Sequence, residues 1–247
     1  MLTQASRTIH FPEEGTTAIA RLPETTEHLD LLRSELGFKG PRPVIVLVGG
    51  ANGLRHYHIA RLHTLFVHVL APLAESLEAV VLDGGTDTGI MRMMGHARSQ
   101  TKSTFPLIGV LPAGMAALPG ELPPCPDAAP LEPNHTHFML VPGSYWGDEC
   151  IWLSKIANVL AQGTPAVTVL VNGGEITWRD ALESVRANRP VVAIAGSGRA
   201  ADTLALALKG KILDNRSQEI VASGLLRAVD LKDTEGLASI IRQTFYR

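Results

Sequence analysis

The sequence has few aromatic residues, little net charge and only two cysteines. Aromatic residues make up 5% of the 247 residues, which argues against base-stacking platforms for single-stranded nucleic acid. The formal net charge is −2, so no overall basic field attracts nucleic acid. Neither Cys125 nor Cys150 has a second cysteine at metal-binding spacing, which favours a reduced intracellular chain. We therefore expect no nucleic-acid partner.

Long hydrophobic runs and several enzyme motifs are also missing. Residues 1–10 lack the apolar stretch of a signal peptide, and no run approaches the length of a membrane span. Neither a P-loop nor a G-x-S-x-G nucleophile elbow is present. We expect a soluble cytoplasmic chain without a membrane partner, and its length fits one α/β domain over residues 1–247.

Aliphatic runs that alternate with helical patterns predict the fold class. The runs are expected to be strands buried on both faces of a sheet: residues 44–48, 80–82, 107–111, 138–141, 166–171 and 191–195. Strands that alternate with helices of this length indicate a doubly wound, mainly parallel sheet with helices on both faces. In such sheets, ligands bind beyond the carboxyl ends of the strands.

Two segments stand outside this rhythm. Residues 1–40 are predicted to be a lead-in with short strands at 7–11 and 17–22 and a helical pattern at 25–36. Residues 112–136 form a proline-rich loop that holds seven of the 16 prolines. Long loops in compact domains are typically functional lids or disordered segments.

Five predicted strands end in glycine-bearing loops that lead into helices. Such a junction gathers backbone N–H groups and a helix N-terminus at one point, which favours phosphate. Helix capping by Thr86 or Thr88 and packing by Tyr145 or Trp146 are the structural alternatives. The predicted ligand-binding residues are Gly49, Gly50, Gly84, Gly85, Thr86, Asp87, Thr88, Gly143, Tyr145, Trp146, Glu149, Gly196, Ser197, Gly198 and Arg199.

Arg199 is the most informative residue of the last junction. Residues 196–201 match the dinucleotide pattern G-x-G-x-x-A after a strand, but they open the last βα unit and lack the acidic residue expected further on. An arginine in the first turn of a helix opposes the macrodipole. This conflict indicates a phosphate or carboxylate partner, and a solvated arginine is the alternative.

Acidic residues also gather at the predicted strand ends. They are Asp83, Asp87, Asp148, Glu149 and Asp202. Helix capping accounts for any one of them. Together they would ring a pocket, accept hydrogen bonds from ribose hydroxyls, or act on a glycosidic bond.

Histidine pairs raise the question of a metal. His135 and His137 flank Thr136, and His56 and His58 flank Tyr57. Neither pair has a third ligand at suitable spacing, so polar loop or helix-surface positions are the better interpretation. We therefore predict no metal site.

These motifs resemble the SLOG superfamily, named for its Smf/DprA and LOG members. The resemblance is greatest to the cytosolic N-terminal region of melastatin-type TRP channels and covers about residues 17–208. It rests on the segments 48–50, 84–91, 134–138 and 196–202. It implies a Rossmann-like fold that binds nucleotide derivatives, above all ADP-ribose and related NAD products. A phosphate-binding arginine of some relatives corresponds to Arg199, whereas a second one falls near Leu153 and Lys155.

The resemblance extends to enzymes, the Lonely Guy phosphoribohydrolases, with the signature P-G-G-x-G-T-x-x-E. When this signature is aligned on Gly196 and Gly198, Asp202 occupies the position of its glutamate and Ala200 that of its threonine. The arginine that these enzymes carry after the third strand is absent from residues 112–114. These departures predict little hydrolysis of nucleoside monophosphates.

Three hypotheses follow. The first is a sensor or carrier of an ADP-ribose-like nucleotide, with no further cofactor. The second is an N-glycosidic-bond hydrolase of nucleotides, with Asp202 or Glu149 as the catalytic acid or base. The third is a module that assembles into a homo-oligomer and binds no small molecule, against which the glycines at the strand ends argue.

Overall fold

A nine-stranded sheet organises the chain. The computed structural model describes residues 5–51 and 56–246. In chain order the strands are β1 (Ala5–Phe11), β2 (Thr16–Leu22), β3 (Val44–Gly49), β4 (Val80–Asp83), β5 (Leu107–Pro112), β6 (Ala116–Ala117), β7 (Ala129–Pro130), β8 (His137–Val141), β9 (Ala166–Val171), β10 (Val191–Ala195) and β11 (Leu226–Asp230). The short strands β6 and β7 pair only with each other.

Helices follow most of the sheet strands. They are α1 (Leu32–Glu35), α2 (His56–Leu65), α3 (Ala71–Ser76), α4 (Gly89–Gln100), α5 (Cys150–Ala161), α6 (Glu175–Arg186), α7 (Arg199–Ala207), α8 (Arg216–Ala222) and α9 (Thr234–Phe245). A π-helical turn, Phe66–Leu70, joins α2 to α3. Two 3₁₀ segments, Thr26–Leu31 and Ala113–Met115, complete the helical structure of the described residues.

The order of the strands creates one switch point. The sheet runs β1-β2-β8-β5-β4-β3-β9-β10-β11. Every neighbouring pair is parallel except β1 with β2. From β3 the chain builds outward through β4, β5 and β8, and then it returns to place β9 on the other side of β3. A ligand site is expected where the order reverses, between β3 and β9.

Both faces of the sheet are buried, as the unbroken aliphatic strands predict. Along β3, Val44, Val46 and Val48 belong to one core, with residues of α5, α6, α7 and α8. Ile45 and Leu47 belong to the opposite core, with residues of α2, α3, α4 and α9. This alternation is the period of two of an extended strand. The fold is therefore Rossmann-like and doubly wound, with helices on both faces.

The first 40 residues contribute to this sheet. The strands predicted at 7–11 and 17–22 correspond to β1 and β2, and Ile19 of β2 is in register with His137 of β8. The lead-in thus completes one end of the sheet over a third core around Phe11 and Phe138. Sequence patterns could not show this pairing, because β2 and β8 lie far apart in the chain.

Gly85 is a position where the fold requires glycine. Its φ is +67°, and a Cβ there would lie 2.7 Å from Cα of Gly109. The Gly85→Ala substitution is expected to lower the free energy of unfolding by about 2 kcal/mol, because a strained backbone and an overpacked contact add together. Urea denaturation measures the loss.

Gly120→Ala is the matched control for this prediction. Gly120 has a similar φ of +74°, but nothing lies within 4 Å of a Cβ placed there. The control therefore carries the backbone strain without the close contact and should cost clearly less. Equal losses in the two variants would contradict a packing role for Gly85.

Candidate functional site: a cavity at the switch point

A cavity of about 430 Å³ lies at the carboxyl ends of the central strands. Loops that follow β3, β4, β8, β9 and β10 all contribute to it. The described residues that line it are Leu47, Val48, Gly49, Gly50, Ala51, Gly84, Thr86, Thr88, Met91, Val110, Asp127, Ala129, Trp146, Glu149, Leu153, Gly174, Glu175, Ile176, Thr177, Asp180 and Arg199. The volume and the mixture of apolar walls with a few polar groups are typical of small-molecule sites.

The loops after β3 and β4 approach each other closely on one side of the cavity. The N–H of Ile90 donates to the carbonyl of Gly50 (3.3 Å), and a Cβ on Gly89 would lie 2.1 Å from that same oxygen. Any side chain at Gly89 would therefore separate the two loops. Thr88, the N-cap of α4, makes no side-chain capping bond, so its side chain does not occupy the start of α4, where helix N–H groups other than that of Ile90 can bind a ligand.

Arg199 also lines the cavity, next to the start of α6. Its backbone has a φ of +51°, a conformation that costs a side-chain-bearing residue about 1 kcal/mol or more. A Cβ on Gly174 would lie 2.8 Å from Nη2 of Arg199, so the guanidinium lies over the N-cap of α6. Gly174 has no side chain to cap that helix. The last glycine loop thus reaches across to the preceding junction.

Two buried carboxyl groups, those of Glu149 and Asp180, also line the cavity. Glu149 accepts a hydrogen bond from the N–H of Gly147 (2.7 Å), and burial raises its pKa. Burial also raises the pKa of Asp180 to about 7, and Oδ1 of Asp180 has no hydrogen-bond partner among the described residues. The adjacent thiol of Cys150 has a pKa raised by burial, so this cysteine stays protonated and unreactive.

Asp83 does not face the cavity, contrary to the expectation that it contacts ribose. It is fully buried and forms an ion pair with His135, whose Nε2 lies 2.8 Å from Asp83 Oδ1. The other ring nitrogen of His135 lies 2.8 Å from Oε2 of Glu132. Burial lowers the pKa of His135, but attraction by Asp83 and hydrogen bonds to Asp83 and Glu132 outweigh it and raise the pKa to about 9. His135 is thus an imidazolium between two carboxylates.

The buried triad of Asp83, Glu132 and His135 holds the loop after β4, whose Gly84 and Thr86 line the cavity. Asp83 Oδ1 also accepts from the N–H of Gly85 (2.7 Å), and the N–H of Glu132 donates to the carbonyl of Gly85 (3.0 Å). The proline-rich loop is therefore anchored to the glycine loop of β4. Sequence reasoning overlooked Glu132; its position next to Pro133 and three residues before His135 was the available signal.

About half of the predicted ligand residues line the cavity. They are Gly49, Gly50, Gly84, Thr86, Thr88, Trp146, Glu149 and Arg199. The others are not among its lining residues: Gly85, Asp87, Gly143, Tyr145, Gly196, Ser197 and Gly198. Asp202 is likewise not among the lining residues.

The residues outside the lining have other contacts. Asp87 forms an ion pair with Arg92 (2.6 Å), and the side chain of Tyr145 is exposed. Ser197 is fully buried and donates its hydroxyl to the carbonyl of Ile194 (2.6 Å). Asp202 accepts a hydrogen bond from the N–H of its own loop at Gly196 (2.6 Å). These side chains organise their loops.

Gly85, Gly143 and Gly198 have packing reasons to be glycine. A Cβ on Gly143 would lie 2.7 Å from Cβ of Asp148, and one on Gly198 would lie 2.8 Å from Nδ2 of Asn172. Asn172 also donates to the carbonyl of Ser197 (2.7 Å), which joins the loops after β9 and β10. The density of glycine at the strand ends therefore reflects close packing as well as access to a ligand.

Several lining residues were missed by the sequence analysis. Asp180 occupies the buried face of α6, with Ala181 and Ser184, and a carboxylate on such a face was a readable signal. Asp127 shows that the proline-rich loop reaches the cavity, where its carbonyl accepts a hydrogen bond from Nε1 of Trp146 (3.3 Å). Glu175 and Thr177 belong to the first turn of α6 and had no distinguishing pattern.

Of the four histidines discussed as metal ligands, the structure describes the side chains of His135 and His137. His135 is held in the buried triad, and the side chains of His56 and His58 lie outside the described residues. Among the described residues, Asp87, His96 and Glu132 bring one ligand atom each within 4.8 Å of the others. Arg92 and His135 already pair with the two carboxylates, which opposes a further cation. Within residues 5–51 and 56–246, no helix is long and apolar enough to cross a membrane.

Comparison with known proteins identifies relatives of this chain. The model of a protein family described as "SLOG in TRPM, prokaryote" matches residues 42–238. The transient receptor potential cation channel subfamily M member-like 2 of Nematostella vectensis is 29% identical, and the match covers 71% of this chain and 14% of that protein. Subfamily M member 6 of Homo sapiens is 26% identical, and the match covers 89% of this chain and 13% of that protein. The chain thus spans about a seventh of the length of these relatives.

A solved structure is similar in fold. The X-ray structure of TM1055, a structural genomics target, superposes with a TM-score of 0.55 and 20% sequence identity. The similarity covers 81% of this chain and 99% of that one. Because the family match extends over residues 42–238, which include all the strands from β3 to β11, the chain belongs to the family described as SLOG in TRPM, prokaryote.

Proposed function

We propose that the cavity binds a nucleotide-derived ligand, ADP-ribose or a related NAD-derived nucleotide, and that the protein acts as a sensor or carrier of it. One observation carries this proposal. The guanidinium of Arg199 lies at the start of α6 beside Gly174, in the same cavity as the glycine-bearing loop at the start of α4. A diphosphate that occupied the cavity would meet a cation and two helix N-termini.

The helix ends supply the neutral part of this phosphate site. Neither Thr88 at the start of α4 nor Gly174 at the start of α6 caps its helix through a side chain. The first N–H groups of a helix have no intrahelical acceptor, and the macrodipole favours an anion there. Arg199 adds a charge-assisted, bidentate donor, a common means of phosphate recognition.

The acidic residues of the cavity do not preclude an anionic ligand. Four carboxyl groups line it, those of Asp127, Glu149, Glu175 and Asp180. Glu175 pairs with Arg216 (2.5 Å), and burial raises the pKa of Glu149 and of Asp180. The negative charge is thus smaller than a count of carboxyl groups implies. These oxygens are also suitable acceptors for ribose hydroxyls.

Arg199→Ala tests the proposal. ADP-ribose at 100 times its dissociation constant should stabilise the protein by about 2.7 kcal/mol, seen as a rise in Tm. Loss of a charge-assisted contact typically costs about 1.5–3 kcal/mol, so the variant should bind at least about tenfold more weakly. Thermal unfolding with increasing ADP-ribose measures this difference.

Arg242→Ala is the matched control for Arg199→Ala. Arg242 is an exposed arginine of α9 and is not among the residues that line the cavity. Its replacement should leave the ligand-induced rise in Tm unchanged. If neither ADP-ribose nor another nucleotide raises the Tm of the folded wild-type protein, the proposal is wrong.

A second candidate is hydrolysis of an N-glycosidic bond, which the position of Glu149 favours. A carboxyl group with a raised pKa that lines a cavity is suited to general acid catalysis. Asp202, the earlier candidate, hydrogen-bonds its own loop and is not among the lining residues.

A product assay separates the two candidates. AMP, ADP-ribose and NAD are incubated with the protein, and the products are resolved by chromatography. We expect the ligands to remain intact. Release of a base that disappears in Glu149→Gln, while ligand-induced stabilisation remains, would favour the hydrolase.

A further inference from the structure

We infer that Asp180 recognises the base of the bound nucleotide, donating one hydrogen bond and accepting another, and that it thereby selects an adenine-type edge over a guanine-type edge. This inference rests on the proposed function, because it assumes that a nucleotide occupies the cavity. It starts from a buried carboxyl group that lines a ligand cavity and whose Oδ1 has no partner among the described residues.

An unpaired buried oxygen is costly for a folded protein. A polar atom without a hydrogen bond loses about 1–3 kcal/mol of solvation, and native structures contain few such atoms. Asp180 is 9% exposed, and the cavity that it lines gives it a way to gain a partner. Oδ1 itself is inaccessible, and the terminal torsion of aspartate is broad, so the inference requires the carboxyl group to turn on binding until both oxygens face the ligand.

The position of Asp180 along α6 sets its distance from a phosphate bound at the start of that helix. Ile176, Thr177 and Asp180 all line the cavity, and their spacing places them on the same face of the helix. From Gly174 at the N-cap, Asp180 lies six residues along, which corresponds to about 9 Å at the rise of an α-helix. A ribose with its base spans a similar distance. A phosphate at Arg199 would therefore place the base near Asp180.

The apolar walls of the cavity suit a planar base. Val48, Val110, Leu153 and Ile176 are apolar lining residues. A planar ring gains contact area from such walls, and the few polar groups then fix its orientation. Asp180 supplies the polar contact on α6.

The protonation of Asp180 decides which edge it can pair with. A protonated carboxyl group has one donor and one acceptor, whereas a carboxylate has acceptors only. Adenine presents an acceptor ring nitrogen beside its amino group, so it matches the protonated form. The corresponding edge of guanine presents two donors, so it matches the carboxylate. The protonation state of Asp180 thus determines which of the two bases it can pair with.

The surroundings of Asp180 stabilise its protonated form up to about neutral pH. Burial raises its pKa to about 7, and the nearby Glu149 adds to the rise. The Cys150 thiol, Arg179 and Arg189 act in the opposite direction. These groups come from the start of α5, from α6 itself and from the segment after α6. A bound phosphate would add negative charge and raise the pKa further.

The test measures the dissociation constants of ADP-ribose and GDP-ribose by isothermal titration at pH 6 and pH 8.5. The wild-type protein should prefer ADP-ribose at pH 6 by about tenfold, the scale of one well-formed base pairing. The preference should shrink or reverse at pH 8.5. Asp180→Asn keeps one donor and one acceptor at every pH, so its preference for ADP-ribose should not change with pH. Asp180→Ala should bind both ligands with similar affinity.

The outcomes separate this inference from the proposed function. If ADP-ribose and GDP-ribose bind equally well to the wild-type protein at pH 6, Asp180 does not recognise the base, although the nucleotide site stands. If Asp180→Asn shows the same dependence on pH as the wild type, the inference is also wrong. If neither ligand binds at either pH, the proposed function is wrong, and the inference that rests on it is wrong as well. Circular dichroism of each variant establishes that it is folded before titration.

Discussion

Replacing His135 by alanine is expected to destabilise the protein by about 3–5 kcal/mol. His135 is fully buried between Asp83 and Glu132, with both ring nitrogens at 2.8 Å from a carboxylate oxygen. Removing one partner of a buried ion pair leaves an uncompensated charge in the interior, and such a loss is typically of this size. Here two carboxylates would lose their common cation. Urea denaturation followed by circular dichroism measures the change.

His137→Ala is the matched control for this substitution. His137 lies two residues further along, and its Nδ1 is 2.8 Å from the hydroxyl oxygen of Thr136. Burial lowers its pKa to about 4, with Arg21 and Arg98 contributing, so its ring is neutral at pH 7. Its removal should therefore cost about 1 kcal/mol, the usual value of one hydrogen bond, plus some packing. Equal losses from the two substitutions would show that the charge of His135 does not matter.

The triad also explains why the loop before His135 is ordered although it is rich in proline. Asn134 donates to Glu132 through its backbone N–H (2.9 Å) and its side chain (2.6 Å), and the ring of His135 stacks on Phe138 (5.3 Å between centroids). The contact with Phe138 joins the loop to β8, and the pairing of His135 with Asp83 joins it to β4. The segment is therefore fixed over the glycine loop of β4 by specific polar contacts.

Local sequence patterns were sufficient to predict most of the sheet. Continuous aliphatic runs identified β3, β4, β5, β8, β9 and β10, and the bounds predicted at 166–171 and 191–195 match β9 and β10. Such runs are informative because both faces of a parallel sheet are buried. The pairing of β2 with β8 was not readable, since a register between distant strands is determined by tertiary contacts.

The site was only partly predictable for the same reason. Arg199 stood out because it conflicts with a local rule, the helix dipole. Asp83 carried no such conflict, and the position of Asp180 on the buried face of α6 did not reveal its contacts. One pairs with His135, 52 residues away, and the other is buried against α5. Whether an acidic residue at a strand end faces a ligand or a buried cation depends on these distant contacts.

The second large effect concerns pH. His135 has a folded pKa of about 9, whereas an unperturbed histidine titrates near pH 6.5. A raised histidine pKa contributes stability that is complete below pH 6.5 and is lost as the pH rises toward 9. The difference corresponds to roughly 3 kcal/mol. We therefore expect the free energy of unfolding to fall by about this amount between pH 6.5 and pH 9, as urea titrations at a series of pH values will measure.

The other shifted groups mainly act outside this window. Asp180 has a folded pKa of about 7. Its contribution to stability is complete below its ordinary pKa near 4 and is lost as the pH rises to about 7. Because the pKa of His137 is lowered to about 4, its unfavourable contribution appears only below pH 6.5. Burial raises the pKa of the Cys150 thiol above its ordinary value of 9, so its contribution is lost mainly at still higher pH. The decline between pH 7 and pH 9 is thus attributable to His135.

His135→Gln isolates this contribution. Glutamine keeps a hydrogen-bond donor but has no charge to lose, so the variant should be less stable than the wild type at pH 7 and should lack the decline up to pH 9. Subtracting its profile from that of the wild type cancels Asp180, Glu149 and Cys150, which both proteins share. The imidazole signals of His135 in the wild-type NMR spectrum should titrate near pH 9. A wild-type stability that stays constant from pH 7 to pH 9, with those signals titrating near pH 6.5, would contradict the buried imidazolium.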